Sequence, residues 1–307
     1  MLGRPTQRRS VVPNGRAHGV VCGPRVSVAR VVRRSGAPEV RQYAAADASR
    51  TLRPTPVNSG NDAPGWGIPG FGSTRSPIRW GLGDFFIAWV VGIVGATIAV
   101  APFGTENGTV PVAGLVASML GQSAATLGFL EFISRRKGRG SLTADFGFAV
   151  RARDAVWILV GLGTSLALGL MLLPISVLAG DDAGQEVVKQ FQKAEGTVQI
   201  LFAIGVVLVA PVIEELVYRG LLLRSLLRRM SPVAAIFVSG VVFGSVHVLF
   251  DPGAYVALPA LATMGVISAV LAVRSGDLSR SIFFHAGFNL LTTIQILAVL
   301  APRLHPS

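Results

Sequence analysis

Between Gly83 and Leu300 the chain passes seven times through a stretch of roughly twenty mostly apolar residues, the length a helix needs to cross the hydrocarbon core of a bilayer. The stretches run approximately Gly83–Pro102, Val110–Ile133, Ala155–Leu178, Val198–Leu223, Val233–Phe250, Tyr255–Val273 and Ser281–Leu300. Half of the 307 residues are hydrophobic and only 14% are charged, a balance that excludes an ordinary soluble domain. The expected fold class is all-α: a polytopic transmembrane helix bundle of about seven spans, preceded by a disordered basic N-terminal tail.

Residues 1–53 hold eleven of the 28 basic residues against only Glu39 and Asp47. The segment 1–75 is rich in Arg, Gly, Pro, Ser and Ala and has no apolar run long enough for a signal-peptide core. It reads as a disordered tail and linker. An organelle transit peptide has a similar composition, and so does sequence upstream of a misassigned start codon. Basic residues elsewhere flank the apolar spans, which points to topology and lipid headgroups and not to nucleic acid. The single Cys22 supports neither an internal disulfide nor a thiolate metal site.

The loops suggest an orientation. Arg75 and Arg79 precede the first span, Arg135 to Arg153 separate the second from the third, Arg224 to Arg229 follow the fourth, and Arg274 and Arg280 lie between the sixth and seventh. The alternate loops carry Glu106, then Asp181, Asp182 and Glu186, then Asp251. By the positive-inside rule the N-terminus and the basic loops are cytoplasmic. Residues 76–180 form a first group of three spans, and residues 195–300 form a core of four. Gly240 and Gly244 on the fifth span, and Gly161, Gly163 and Gly169 on the third, are small enough to admit close helix contacts.

Within the apolar spans, one polar cluster stands out. Glu214, Glu215 and Arg219 lie in a run from Leu201 to Leu223 that is otherwise apolar, Gly, Pro or Tyr. A charge at mid-membrane costs roughly 2.5 to 3.5 kcal/mol on insertion scales, so these side chains require partners or water. Glu215 and Arg219 are spaced i, i+4 and suit an ion pair, which leaves Glu214 as the freer acid. The spans contain just two histidines, His247 and His285, and Asn289 follows His285 by one turn. One free carboxylate, two imidazoles and a carboxamide suit hydrolysis. A glutamate beside a histidine takes a proton from water, and a second histidine with an amide donates to the oxyanion. The same Glu214, His247 and His285 would also suit a zinc ion that acidifies the water, and the residues leave both schemes open. Counted along straight helices these groups lie at different depths, so tilt, a recessed last helix or a break near Pro211 has to bring them level.

The pattern Glu214-Glu215-Leu-Val-Tyr-Arg219, Phe243-Gly-Ser-Val-His247 and His285-Ala-Gly-Phe-Asn289 resembles the three motifs E-E-x-x-x-R, F-x-x-x-H and H-x-x-x-N of the CPBP family of intramembrane endopeptidases. That family includes type II CAAX prenyl endopeptidases and bacterial homologues linked to bacteriocin self-immunity. The resemblance covers roughly residues 195–300. It implies a membrane peptidase acting on a membrane-associated or prenylated substrate, with its site open to the cytoplasm of what is expected to be a bacterial plasma membrane. It casts Glu214 as the catalytic acid that works with His247, and His285 with Asn289 as oxyanion donors. Glu215, Arg219 and Phe243 take supporting roles. The family is commonly labelled metalloprotease, and a metal-free mechanism is also argued for its CAAX members.

Gly81-Leu-Gly-Asp84 matches the G-x-G-D motif of aspartyl intramembrane proteases, but no other span has an interior Asp to pair with it, so Asp84 reads as an interfacial residue. Ser245 and His247 are two apart on one helix and face different ways, which speaks against rhomboid-like chemistry. Outside the proteases, the same Glu and His set would serve a proton-coupled transporter, or persist in a non-catalytic scaffold or immunity protein.

Overall fold

The computed structural model describes residues 78–105, 110–179 and 196–304, all within the compact unit Ser59–Ser307. The tail expected over residues 1–75 and the acidic loop residues Glu106, Asp181, Asp182 and Glu186 lie outside the described residues. Among the described residues there is no strand. The principal helices are α1 (Leu82–Val100), α2 (Val112–Lys137), a short α3 (Leu142–Phe146), α4 (Trp157–Ala179), α5 (Gly196–Leu227), α6 (Pro232–Phe250), α7 (Leu258–Ser275) and α8 (Ser279–Leu304).

Six of these helices are long and apolar enough to cross a membrane. They correspond to the first six expected spans, and the chain is an integral membrane protein. The seventh expected span, Ser281–Leu300, lies on α8, which is 26 residues long and whose side chains are described as far as Gln295. This helix carries Arg280, His285, Asn289, Thr292, Thr293 and Gln295.

Glycine contacts join the helices in pairs. A Cβ on Gly95 of α1 would lie 2.6 Å from the Gly121 carbonyl oxygen of α2, and one on Gly240 of α6 would lie 2.6 Å from the Val266 nitrogen of α7. On α4, a Cβ at Gly161 would lie 2.0 Å from the Phe284 carbonyl oxygen of α8. Lipid offers no hydrophobic drive for helices to associate, so such backbone approach supplies the van der Waals contact instead. Gly244 packs in the same way against Ala262, whereas a Cβ on Gly163 or Gly169 would meet nothing within 4 Å, and neither glycine takes part in helix contact.

Helix α5 runs through the centre of the bundle. Every residue from Glu215 to Leu226 is buried, which is the signature of a helix covered on all sides. By contrast α1 and α4 expose outward-facing apolar residues, among them Phe86, Val90, Ile98, Leu170 and Leu178. These faces suit contact with lipid.

The basic segments meet at one end of the bundle. The Arg79 guanidinium donates to the Arg136 carbonyl at 3.1 Å, Lys137 pairs with Asp84 at 2.6 Å, and Arg228 donates to the Trp80 carbonyl at 2.6 Å while lying over the Trp80 ring. Arg224 reaches the Gly276 carbonyl at 3.0 Å, and Arg151 pairs with Asp277. The segments before α1, between α2 and α4, after α5 and between α7 and α8 therefore share one face, as the alternation of charge in the loops requires. Asp84 also accepts from the Gly81 N–H at 2.9 Å, so it is an interfacial residue holding the start of α1.

Candidate functional site

The site begins with an irregularity in α5. Pro211 has no N–H, and the helix accommodates it with a π-helical turn over Gly205–Val209, in which the Ala210 N–H bonds the Gly205 carbonyl five residues back. In that register the Val206 carbonyl would bond residue 211, which has nothing to donate. Asn289 Nδ2 on α8 supplies the missing donor at 2.9 Å. A second π-helical stretch, Leu216–Leu223, follows Glu215 and carries Arg219. These turns shift the inward face of α5 part-way along the helix.

Glu215 and Arg219 form the buried base of the site, with both side chains fully inaccessible. Glu215 Oε1 lies 3.0 Å from Arg219 Nη1 and 3.1 Å from His285 Nδ1. The guanidinium also donates through Nη2 to the Gly265 carbonyl at 2.9 Å, and its carbon lies 4.7 Å from the centre of the Phe243 ring. The sequence points to the i, i+4 ion pair but not to its third member on α8.

Glu214 occupies the next position round the helix, and its side chain is 30% exposed. Its Oε2 lies 3.5 Å from His285 Nε2. One imidazole thus stands between two successive carboxylates, Nδ1 towards Glu215 and Nε2 towards Glu214. Their roughly 100° separation on the helix, which stops both from facing one point, is matched by the two nitrogens of one ring.

His247 Nδ1 lies 2.8 Å from the Phe243 carbonyl oxygen, one turn back on α6. A carbonyl only accepts, so Nδ1 carries the hydrogen and Nε2 is left as the open nitrogen. Phe243 organises these parts. Its ring touches His247 at 4.7 Å and meets His285 edge-on at 5.6 Å and Tyr218 edge-on at 5.0 Å, centre to centre.

Two cavities meet at Glu214 and His247. The first, about 480 Å³, lies among α4, α5, α6, α7 and α8 and has Ser165, Ser176, Asn289, Thr292, Thr293 and Gln295 on its wall. The second, about 530 Å³, lies among α1, α2, α5 and α6 and is more apolar, with Trp89, Ile93, Val217, Tyr218, Val246 and Phe250. Trp89 and Phe250 stack with ring centres 5.4 Å apart and close the gap between α1 and α6.

All seven residues singled out by the motifs thus converge on one region, but they are engaged differently. Glu214 and His247 face open space, while Glu215, Arg219 and His285 form a buried cluster, and Asn289 repairs the α5 backbone as well as lining the first cavity. Sequence reasoning missed Tyr218 and Trp89. Tyr218 stands one turn after Glu214 and so shares its face, a signal that was present; Trp89 belongs to a distant helix and gave none. Ser245 points outward from α6 and is exposed.

The sequence leaves Glu214, His247 and His285 open to a zinc ion. Among the described residues no three His, Cys, Asp or Glu side chains converge so as to hold a metal. No chemical step is routed through such an ion.

Residues 196–291 match the family described as Type II CAAX prenyl endopeptidase Rce1-like. The match opens at the start of α5, ends within α8 and spans every motif residue from Glu214 to Asn289. No curated protein and no solved structure matches the chain at a significant level.

Proposed function

We propose that this integral membrane protein, whose residues 196–291 are an Rce1-like domain, is an intramembrane endopeptidase that hydrolyses a peptide bond of a membrane-associated, CAAX-like prenylated substrate. The observation that carries this reading is the pairing of a part-exposed acid, Glu214, with the open Nε2 of His247 where two cavities meet.

Water placed between Glu214 and His247 gives a proton to the Glu214 carboxylate as its oxygen attacks the substrate carbonyl carbon. The carbonyl π pair moves onto its oxygen, and the tetrahedral intermediate then collapses. The C–N bond breaks, and the leaving nitrogen takes the proton back from Glu214. His285 bridges Glu214 to the Glu215–Arg219 pair and fixes where that carboxylate points. Asn289 has a second amide hydrogen beyond the one used on Val206, and with His285 it lies on the side of the first cavity. The basic end of the bundle is the cytoplasmic one on this reading, with the site reached from that side.

A proton relay through the same residues is less well supported. A proton passed from Glu214 through His285 to Glu215 meets the Arg219 guanidinium, which does not release one. A scaffold or immunity protein would have no use for the open nitrogen of His247. The test compares membrane proteomes of cells carrying wild type or Glu214→Gln. The peptidase accumulates uncut precursors in the variant while the protein still inserts, and identical proteomes sink the reading.

A further inference from the structure

At the motif positions most of the donors are already engaged. The nitrogens of His285 face Glu215 and Glu214, and Asn289 Nδ2 is bonded to the Val206 carbonyl. Of the two side chains that the motifs would offer to an oxyanion, His285 is held between the glutamates and Asn289 keeps one amide hydrogen, on the side of the first cavity. Meanwhile a strong donor close by has no acceptor. Tyr218 is only 2% exposed, and the proton of its buried hydroxyl has no acceptor among the described residues. The indole Nε1 of Trp89, which faces this hydroxyl, belongs to a group that only donates and cannot accept the phenol proton.

A buried hydroxyl without an acceptor is costly and is seldom kept without a use. The ring that carries it is held on several sides. It packs edge-on against Phe243 at 5.0 Å, Phe85 at 5.8 Å and Trp89 at 6.2 Å, centre to centre, and the Arg219 guanidinium lies 5.9 Å from its centre. Tyr218 follows Glu214 by four residues on the same helix and lines the second cavity together with Glu214 and His247.

We infer that Tyr218 is a further catalytic residue, whose hydroxyl donates a hydrogen bond to the carbonyl oxygen of the cleaved bond as that oxygen gains charge. This rests on the peptidase reading. The phenol keeps its proton throughout, since the proton from water travels by way of Glu214 to the leaving nitrogen. A donor fixed before the reaction begins, in a site poor in water, stabilises developing charge without having to reorganise. The assignment also places the substrate. Its carbonyl oxygen points into the second cavity, towards α1, with Glu214 and His247 beside the carbon under attack.

The experiment uses purified full-length protein in detergent and a quenched fluorescent peptide ending in a prenylated CAAX sequence, with Glu214→Gln as the inactive control. Tyr218→Phe retains the ring and removes only the hydroxyl. The expected result is a fall in kcat of about 100-fold or more, the usual loss for one oxyanion donor, with KM little changed. The melting temperature of the variant should be equal to or above that of the wild type. A peptide aldehyde, which mimics the tetrahedral intermediate as its hydrate, should lose affinity in step with kcat, while an uncleaved peptide product should not. Wild-type kcat in Tyr218→Phe, with Glu214→Gln inactive, overturns the assignment and leaves the peptidase reading standing. A wild type that cleaves nothing overturns both.

Discussion

His285 Nδ1 lies 3.1 Å from Glu215 Oε1, joining the last long helix to the buried ion pair of the central one. Glu215 thus neutralises Arg219 and at the same time orients the imidazole that reaches Glu214. The two adjacent glutamates then carry different burdens, and their substitution should separate stability from activity.

Replacing Glu215 with Ala leaves the fully buried Arg219 without its countercharge. Breaking a buried pair in this way typically costs about 3 to 5 kcal/mol. The expected outcome is a large drop in the yield of monodisperse protein on size-exclusion chromatography in detergent. Glu214→Gln, at a side chain that is 30% exposed, should elute like the wild type. Equal behaviour of the two variants contradicts the division of roles.

Arg219→Lys tests the geometry of the same cluster. The guanidinium spans Glu215 and the Gly265 carbonyl while lying over the Phe243 ring, and a lysine is a point charge that cannot span the same partners at once. Loss of one charge-assisted hydrogen bond is worth about 1.5 to 3 kcal/mol, so thermal unfolding in detergent should shift down markedly. An unchanged melting curve would show that charge alone is what Arg219 provides.

Much of this was legible in the chain. The spans follow from the length of their apolar runs, and the motif residues stand out because charge is expensive in lipid. The packing of Gly240, Gly244 and Gly161 was readable as well, but Gly163 and Gly169 look the same in sequence and pack against nothing, since helix rotation decides which small residues meet a neighbour. The third member of the Glu215–Arg219 cluster, His285, was hidden for a related reason. It depends on how α8 sits beside α5, which no local pattern encodes. The π-helical turns had one visible signal, Pro211, and that marked a break without saying how the helix would absorb it. The wall formed by Trp89 lies outside residues 196–291 and carries no motif.

The helix contacts make their own prediction. A Cβ at Gly240 would come within 2.5 Å of Val266 Cγ2 and 2.6 Å of the Val266 nitrogen, so Gly240→Ala must push α6 and α7 apart. Overpacking of this kind costs about 1 to 3 kcal/mol. Gly163→Ala has open space around it and should be neutral or stabilising by up to about 1 kcal/mol through helix propensity. Melting curves of the two variants in detergent check both signs together.

The bond from Asn289 to Val206 permits a rescue experiment. Asn289→Ala should leave the Val206 carbonyl without a donor, at a cost of about 1 to 3 kcal/mol. Pro211→Ala restores an N–H at the position that the π register points towards that carbonyl. In the Asn289→Ala background it should therefore recover stability, and the coupling between the two sites appears as non-additivity in a double-mutant cycle. If peptidase activity returns along with stability, the amide serves the backbone of α5. If stability returns and cleavage does not, the second amide hydrogen of Asn289 acts on the substrate. Strict additivity of the two substitutions would show that Pro211 is not the reason Asn289 is needed at this position.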